Sequence, residues 1–159
     1  PGEIGVIASR RSDPGLMLGY WKRPEEEAQM MRGDWFLTGD LAHMDEDGYI
    51  WLAGRGDDMM NAFGYRVSPF EVEAALQEFD GVQEAAVVER EVAENVRIIT
   101  AFVVWRDGHE NKEELLRHAE GRLAAYKVPR EIVAIDSLPH TPNGKVKRAE
   151  LRTIVLPGH

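Results

Sequence analysis

The chain has 159 residues, 43% hydrophobic and 30% charged, enough for one good core or a small domain with part of another. A formal net charge of −9 repels phosphate backbones, so no nucleic-acid partner is expected, and the lack of cysteine excludes a disulfide framework or a thiolate metal site. The five histidines (His43, His109, His118, His140 and His159) show no ligand spacing, the longest apolar run (Ile98 to Trp105) is far too short for a membrane span, and no signal peptide is visible, so a cytoplasmic protein without a metal site of its own is the default expectation.

Pro1-Gly2-Glu3 leads at once into Ile4-Gly5-Val6-Ile7-Ala8, which alternates as a strand does. With no initiator Met ahead of it, the expectation is a piece cut from a larger protein. Residues up to about 54 read as short strands and turns. Pro24 followed by Glu25, Glu26 and Glu27 marks a helix start, with acids at the positive end of its dipole. Trp35-Phe36-Leu37-Thr38 is strand-like. Asp47-Gly48, between Leu41–Met44 and Tyr49–Ala53, signals a hairpin.

From Asp57 onward the pattern is tidier. Ser68-Pro69-Phe70-Glu71 spells a capping box, with Val67 and Val72 spaced as a hydrophobic staple. Val72, Ala75, Leu76 and Phe79 follow the spacing of a helix buried on one face, and Gly81 is expected to close it. Val82–Glu89 and Ile98–Trp105 read as strands joined by a turn at Glu94-Asn95. Asn111-Lys112-Glu113-Glu114 opens a second helix with Leu115, Ala119 and Leu123 on one face, ended by Val128-Pro129. Glu131–Ile135 is a further strand, and a short basic helix closes the chain. The order α-β-β-α-β from Ser68 predicts a small α+β domain with a short mixed sheet and packed helices, preceded by a β-rich segment. The pattern leaves open where the last strand pairs.

Three motifs bear on chemistry. Asp40 in Thr38-Gly39-Asp40, presented by a tight turn after a strand, could accept hydrogen bonds from a ribose diol. Arg55 in Gly54-Arg55-Gly56-Asp57-Asp58 could pair with phosphate or ribose, and Gly56-Asp57 would let the backbone swing. Lys145 in Thr141-Pro142-Asn143-Gly144-Lys145-Val146-Lys147-Arg148 stands at the tip of a Pro/Gly loop, from which a point charge can be delivered into a neighbouring site. It is not a Walker A loop, because Val146 stands where Ser or Thr is required. Taken alone, Thr38-Gly39-Asp40 is better explained as a polar turn and the Lys145 loop as a solvated basic turn, while the Arg55 stretch is equally well explained as a charged linker.

Taken in order, with Gly64-Tyr65-Arg66-Val67-Ser68-Pro69-Phe70-Glu71-Val72-Glu73 between them, they resemble the last part of the acyl-adenylate-forming superfamily, along essentially the whole chain. The resemblance implies an acyl- or aryl-CoA synthetase that joins a carboxylic acid to CoA at the expense of ATP, releasing AMP and pyrophosphate through an acyl-adenylate. It implies that residues 1–56 end the large AMP-binding domain and residues 57–159 form its small lid. Asp40 and Arg55 would hold AMP, Lys145 would act in adenylation, and Asp57 would be the hinge for domain alternation. Gly64 and Tyr65 would lie on the strand facing CoA, although Phe63 departs from the small residue expected there. The Mg2+ site, the phosphate loop and the acyl pocket would lie upstream of Pro1, so the fragment alone is expected to be inactive. Alternatives are an adenylation domain that loads a carrier protein, or a non-catalytic interaction module on the same scaffold. Acyl substrate and oligomeric state are not written in these residues.

Overall fold

The computed structural model describes residues 2–106 and 108–155; Pro1 and His159, the outer limits of the two expected segments, lie outside the described residues. The chain divides into two compact units, Pro1–Asp57 and Asp58–His159.

The first unit is a four-stranded antiparallel sheet built around one long strand. Its elements are β1 (Gly5–Arg10), α1 (Pro24–Met30), β2 (Met31–Arg32), β3 (Trp35–Met44) and β4 (Ile50–Arg55). β3 pairs with β1 along one edge and with β2 and β4 along the other. Pro24 is the first helical residue of α1, where its missing N–H costs nothing. The β3–β4 hairpin turns where Asp47-Gly48 predicts, with Gly48 at φ +87. Asp45 organises the turn. Its carboxylate accepts from Trp51 Nε1 at 2.8 Å, Tyr49 N at 2.9 Å and Asp47 N at 3.1 Å. The Trp51 bond leads the backbone bonds in holding that carboxyl below the usual carboxylate range. The core here is thin: Phe36, Leu41 and Ala42 are its buried apolar side chains, while Leu18, Trp21 and Leu52 are exposed.

The second unit begins with a small hairpin, β5 (Met60–Ala62) and β6 (Tyr65–Val67). There follow α2 (Pro69–Gln77), β7 (Val82–Ala93), β8 (Val96–Trp105), α3 (Lys112–Arg122), β9 (Glu131–Ala134) and α4 (Arg148–Arg152). β7 and β8 form the expected antiparallel hairpin about Asn95, and β9 pairs parallel to β8. The sheet is therefore mixed, in the order β7-β8-β9, as the sequence predicts. Strand alternation sends side chains to both faces. Ala85, Val87, Ile99, Ala101 and Val103 pack with Val72 and Leu76 of α2 and Leu115 and Ala119 of α3. Ala86, Val88, Phe102 and Val104 pack with Leu138 and Leu151 on the opposite face. The sheet is thus covered on one side by two helices and on the other by the segment that carries Lys145.

Helix boundaries follow the sequence with three corrections. Ser68 occupies the N-cap of α2 ahead of Pro69, yet its side chain makes no cap hydrogen bond; Val67 and Val72 are both fully buried, as the staple requires. Asn111 caps α3 by accepting from Glu114 N at 3.1 Å. That helix ends at Arg122, well before Val128-Pro129, because Leu123 turns to extended backbone. Gly81 does not close α2 as a left-handed residue. A Cβ there would stand 2.9 Å from both His109 O and Phe79 Cε1, so close approach of the chain is what demands glycine. No described helix is long and apolar enough to cross a membrane.

Candidate functional site

Thr38-Gly39-Asp40 does not follow β3 as a turn but lies inside it, at a bulge. Pairing with β1 jumps from Ala8↔Leu37 to Val6↔Leu41, so Ile7 faces all three residues. Gly39 supplies φ +81, and Thr38 Oγ1 fixes the bulge by donating to Ile7 O at 3.0 Å and accepting from Asp40 N at 3.1 Å. The distortion re-aims Asp40, whose side chain is half-exposed. Opposite it in β4 stands Arg55. Its guanidinium approaches Asp40 Oδ1 at 3.5 Å through Nη1, which also donates to Thr38 O at 3.2 Å. The same group donates from Nε and Nη2 to the Asp57 carboxylate at 3.0 and 3.3 Å. One guanidinium therefore joins Asp40 to Asp57, the residue at which the first unit ends.

In the second unit, Phe63 and Gly64 make the two-residue turn between β5 and β6, with φ +52 and +85. A turn with both central residues left-handed suits a twisted hairpin, and Gly64 takes that conformation without steric cost. Nothing lies within 4 Å of a Cβ built on Gly64. Its neighbour Tyr65 is exposed and stacks on Tyr126 at 4.6 Å between ring centroids.

The Lys145 loop is closed at its neck. Thr141 N donates to Lys145 O at 2.7 Å, Gly144 N to Thr141 O at 2.9 Å, and Lys145 N to Thr141 Oγ1 at 3.1 Å. His140 pairs across to Val146, and Lys147 N donates to Pro139 O at 2.8 Å. Gly144 turns the tip at φ +79 and leaves Lys145 exposed. Its neighbour Lys147 is occupied by Glu150 at 2.9 Å, and among the described residues Lys145 forms no ion pair.

Asp40, Arg55 and Asp57 are brought together in the first unit; Gly64, Tyr65 and Lys145 belong to the second. A cluster to which the motifs assign no role joins Asp58, Glu73 and Arg148. Arg148 Nη2 meets both Glu73 oxygens at 2.9 and 2.8 Å, and Nη1 approaches Asp58 at 3.7 Å. The sequence signal for it is Glu73 itself, spaced four from Pro69 and three from Leu76 on the buried stripe of α2. A carboxylate there needs a partner.

Comparison with known proteins defines the class first. Residues 71–145 match the family described as the AMP-binding enzyme C-terminal domain, and over nearly its whole length the chain is similar to one part of larger enzymes. Among them it resembles the acyl-CoA synthetases. It is 43% identical over 156 residues to the uncharacterized acyl--CoA ligase YtcI of Bacillus subtilis (strain 168), covering 96% of this chain and 30% of that protein. It is 40% identical over 157 residues to acetyl-coenzyme A synthetase of the same organism, covering 96% and 27%. The crystal structure of the anthranilate CoA ligase AuaEII in complex with anthranoyl-AMP superposes with a TM-score of 0.86 at 36% identity, over 96% of this chain and 30% of that one. The chain thus spans about 30% of the length of the curated relatives it matches.

Proposed function

We propose that these residues are the C-terminal part of an ATP-dependent acyl- or aryl-CoA synthetase. The carboxylate of the acid attacks the α-phosphate of ATP and pyrophosphate leaves. The CoA thiol, giving up its proton, then attacks the acyl carbon, and AMP departs. Residues 1–56 would end the AMP-binding domain and residues 57–159 form the lid.

The observation that carries this reading is the Lys145 loop, a closed turn whose tip presents an ammonium without an ion-pair partner among the described residues. Such a charge, held before the reaction starts, offsets negative charge growing on the transferring phosphoryl group and its partners. Asp40 suits the nucleotide because it is half-exposed and Arg55 comes no nearer than 3.5 Å, which leaves lone pairs for a ribose diol. Arg55 would steady that carboxylate and add positive charge beside AMP. Open space at Gly64 suits a pantetheine arm running along the hairpin, with Tyr65 beside it. No group of three His, Asp or Glu side chains that could hold a metal stands among the described residues, and no Mg2+ step is assigned to this chain.

The test uses the full-length enzyme. Lys145→Ala is expected to lower ATP–pyrophosphate exchange by about a hundred- to thousandfold, the cost of losing one preorganised charge at a transition state. Thioester formation from supplied acyl-adenylate should persist, with CoA compared against a holo carrier protein as acceptor. Equal loss in both half-reactions would remove Lys145 from adenylation.

A further inference from the structure

We propose that Arg148 is a positioning residue for Lys145: it fixes the exit of the lysine loop to α2 and to Asp58, and so sets where the ammonium is delivered. This rests on the adenylation role of Lys145 proposed above.

Arg148 is the first residue of α4, three positions after Lys145. Its side chain is only 12% exposed. Nη2 reaches both oxygens of Glu73, itself 9% exposed, and Glu73 Oε1 also accepts from Val87 N of β7 at 2.8 Å. Nη1 approaches Asp58, which Arg152 holds from the other side at 3.0 Å. The guanidinium lies 4.9 Å from the Phe70 ring centroid, a cation–π distance. One planar group thereby links the loop's exit, α2, β7 and the first residue of the second unit.

Stability alone does not account for this arrangement. Leu151, fully buried, already seats the five-residue α4 against the sheet. A buried ion pair is seldom more stable than apolar residues of the same volume. Arg148 Nε is moreover buried without a hydrogen-bond partner among the described residues, a cost that an apolar side chain would not carry. What arginine supplies is direction, because its flat fork fixes orientation as well as distance. The neck of the loop is closed by its own hydrogen bonds, so its tip follows the orientation of its stem.

In the full-length enzyme, Arg148→Gln should lower ATP–pyrophosphate exchange by about a hundredfold, the scale of a misplacement near 1 Å, with the loss in kcat rather than in KM for ATP. Thioester formation from supplied acyl-adenylate should stay within a few-fold of the parent. In a Lys145→Ala background Arg148→Gln should cost nothing further, because it acts through the lysine. Arg148→Lys should recover only part of the rate, since charge returns without the fork. Should Arg148→Gln lower the melting point below assay temperature, Glu73→Gln with Arg148→Gln removes both buried charges and carries the same expectations. Equal loss in both half-reactions, or a further loss on top of Lys145→Ala, overturns the positioning role. Loss with Lys145→Ala but none with Arg148→Gln overturns it too, leaving the lysine assignment intact. No loss with Lys145→Ala overturns instead the assignment on which it rests.

Discussion

Phe63 is held at φ +52, in a turn position that asparagine or glycine fills without strain. A left-handed conformation costs a non-glycine residue about 1–2 kcal/mol. Against that stands the Arg130 guanidinium, 5.7 Å from the exposed ring, worth about 0.5–1 kcal/mol at such a site. The strain outweighs the attraction. Phe63→Asn is therefore expected to stabilise the second unit by about 0.5–1 kcal/mol. A thermal or urea melt checks it, and a lower midpoint would mean that the ring contributes more than its one cation contact. The phenylalanine sits where the family resemblance leads one to expect a small side chain, next to the open space at Gly64.

At the scale of elements, Gly81 gives the sharpest expectation. It lies between α2 and β7, and an added methyl would meet the His109 carbonyl and the Phe79 ring at 2.9 Å each. Gly81→Ala should cost about 1–3 kcal/mol, the range for forcing extra volume into a packed place. Chemical denaturation of the variant is the measurement; an unchanged midpoint would show that the 108–110 turn yields freely. Elements held by local rules are legible in the sequence. The β7–β8 turn, the Asn111 cap and the α2 staple each involve residues a few positions apart. What is not legible is non-local. The bulge that aims Asp40 depends on Ile7, 31 residues from Thr38, so Thr38-Gly39-Asp40 looks like a turn when only its neighbours are read. The choice of β8 as the partner of β9 is likewise set by packing rather than by its own four residues. Glu73 and Arg148, 75 positions apart, form a contact that no local pattern predicts, although each stands in a recognisable motif.

For the molecule as a whole, the division at Asp57 makes this residue the place to test rotation. Proline fixes φ near −65° and removes the amide hydrogen, so Asp57→Pro should hold one orientation of the lid. In the full-length enzyme, acyl-adenylate should still form while transfer to CoA collapses. Asp57→Ala separates the causes, since it removes the carboxylate that Arg55 grips but keeps backbone freedom. It should retain both half-reactions; a proline variant that also keeps both, at unchanged melting point, would take Asp57 out of the cycle. The mixed sheet has a different consequence, for the order in which the second unit assembles. β7 and β8 meet across a tight turn and can zip together early. β9 must wait until the chain has wound through α3 and returned alongside β8, a closure over many more residues. During that interval the outer edge of β8, whose side chains from Ile99 to Val104 are all buried in the finished fold, is an unpaired apolar strand. A newly made chain is then at its most vulnerable to pairing with strands of its neighbours, and the arrival of β9 ends the exposure.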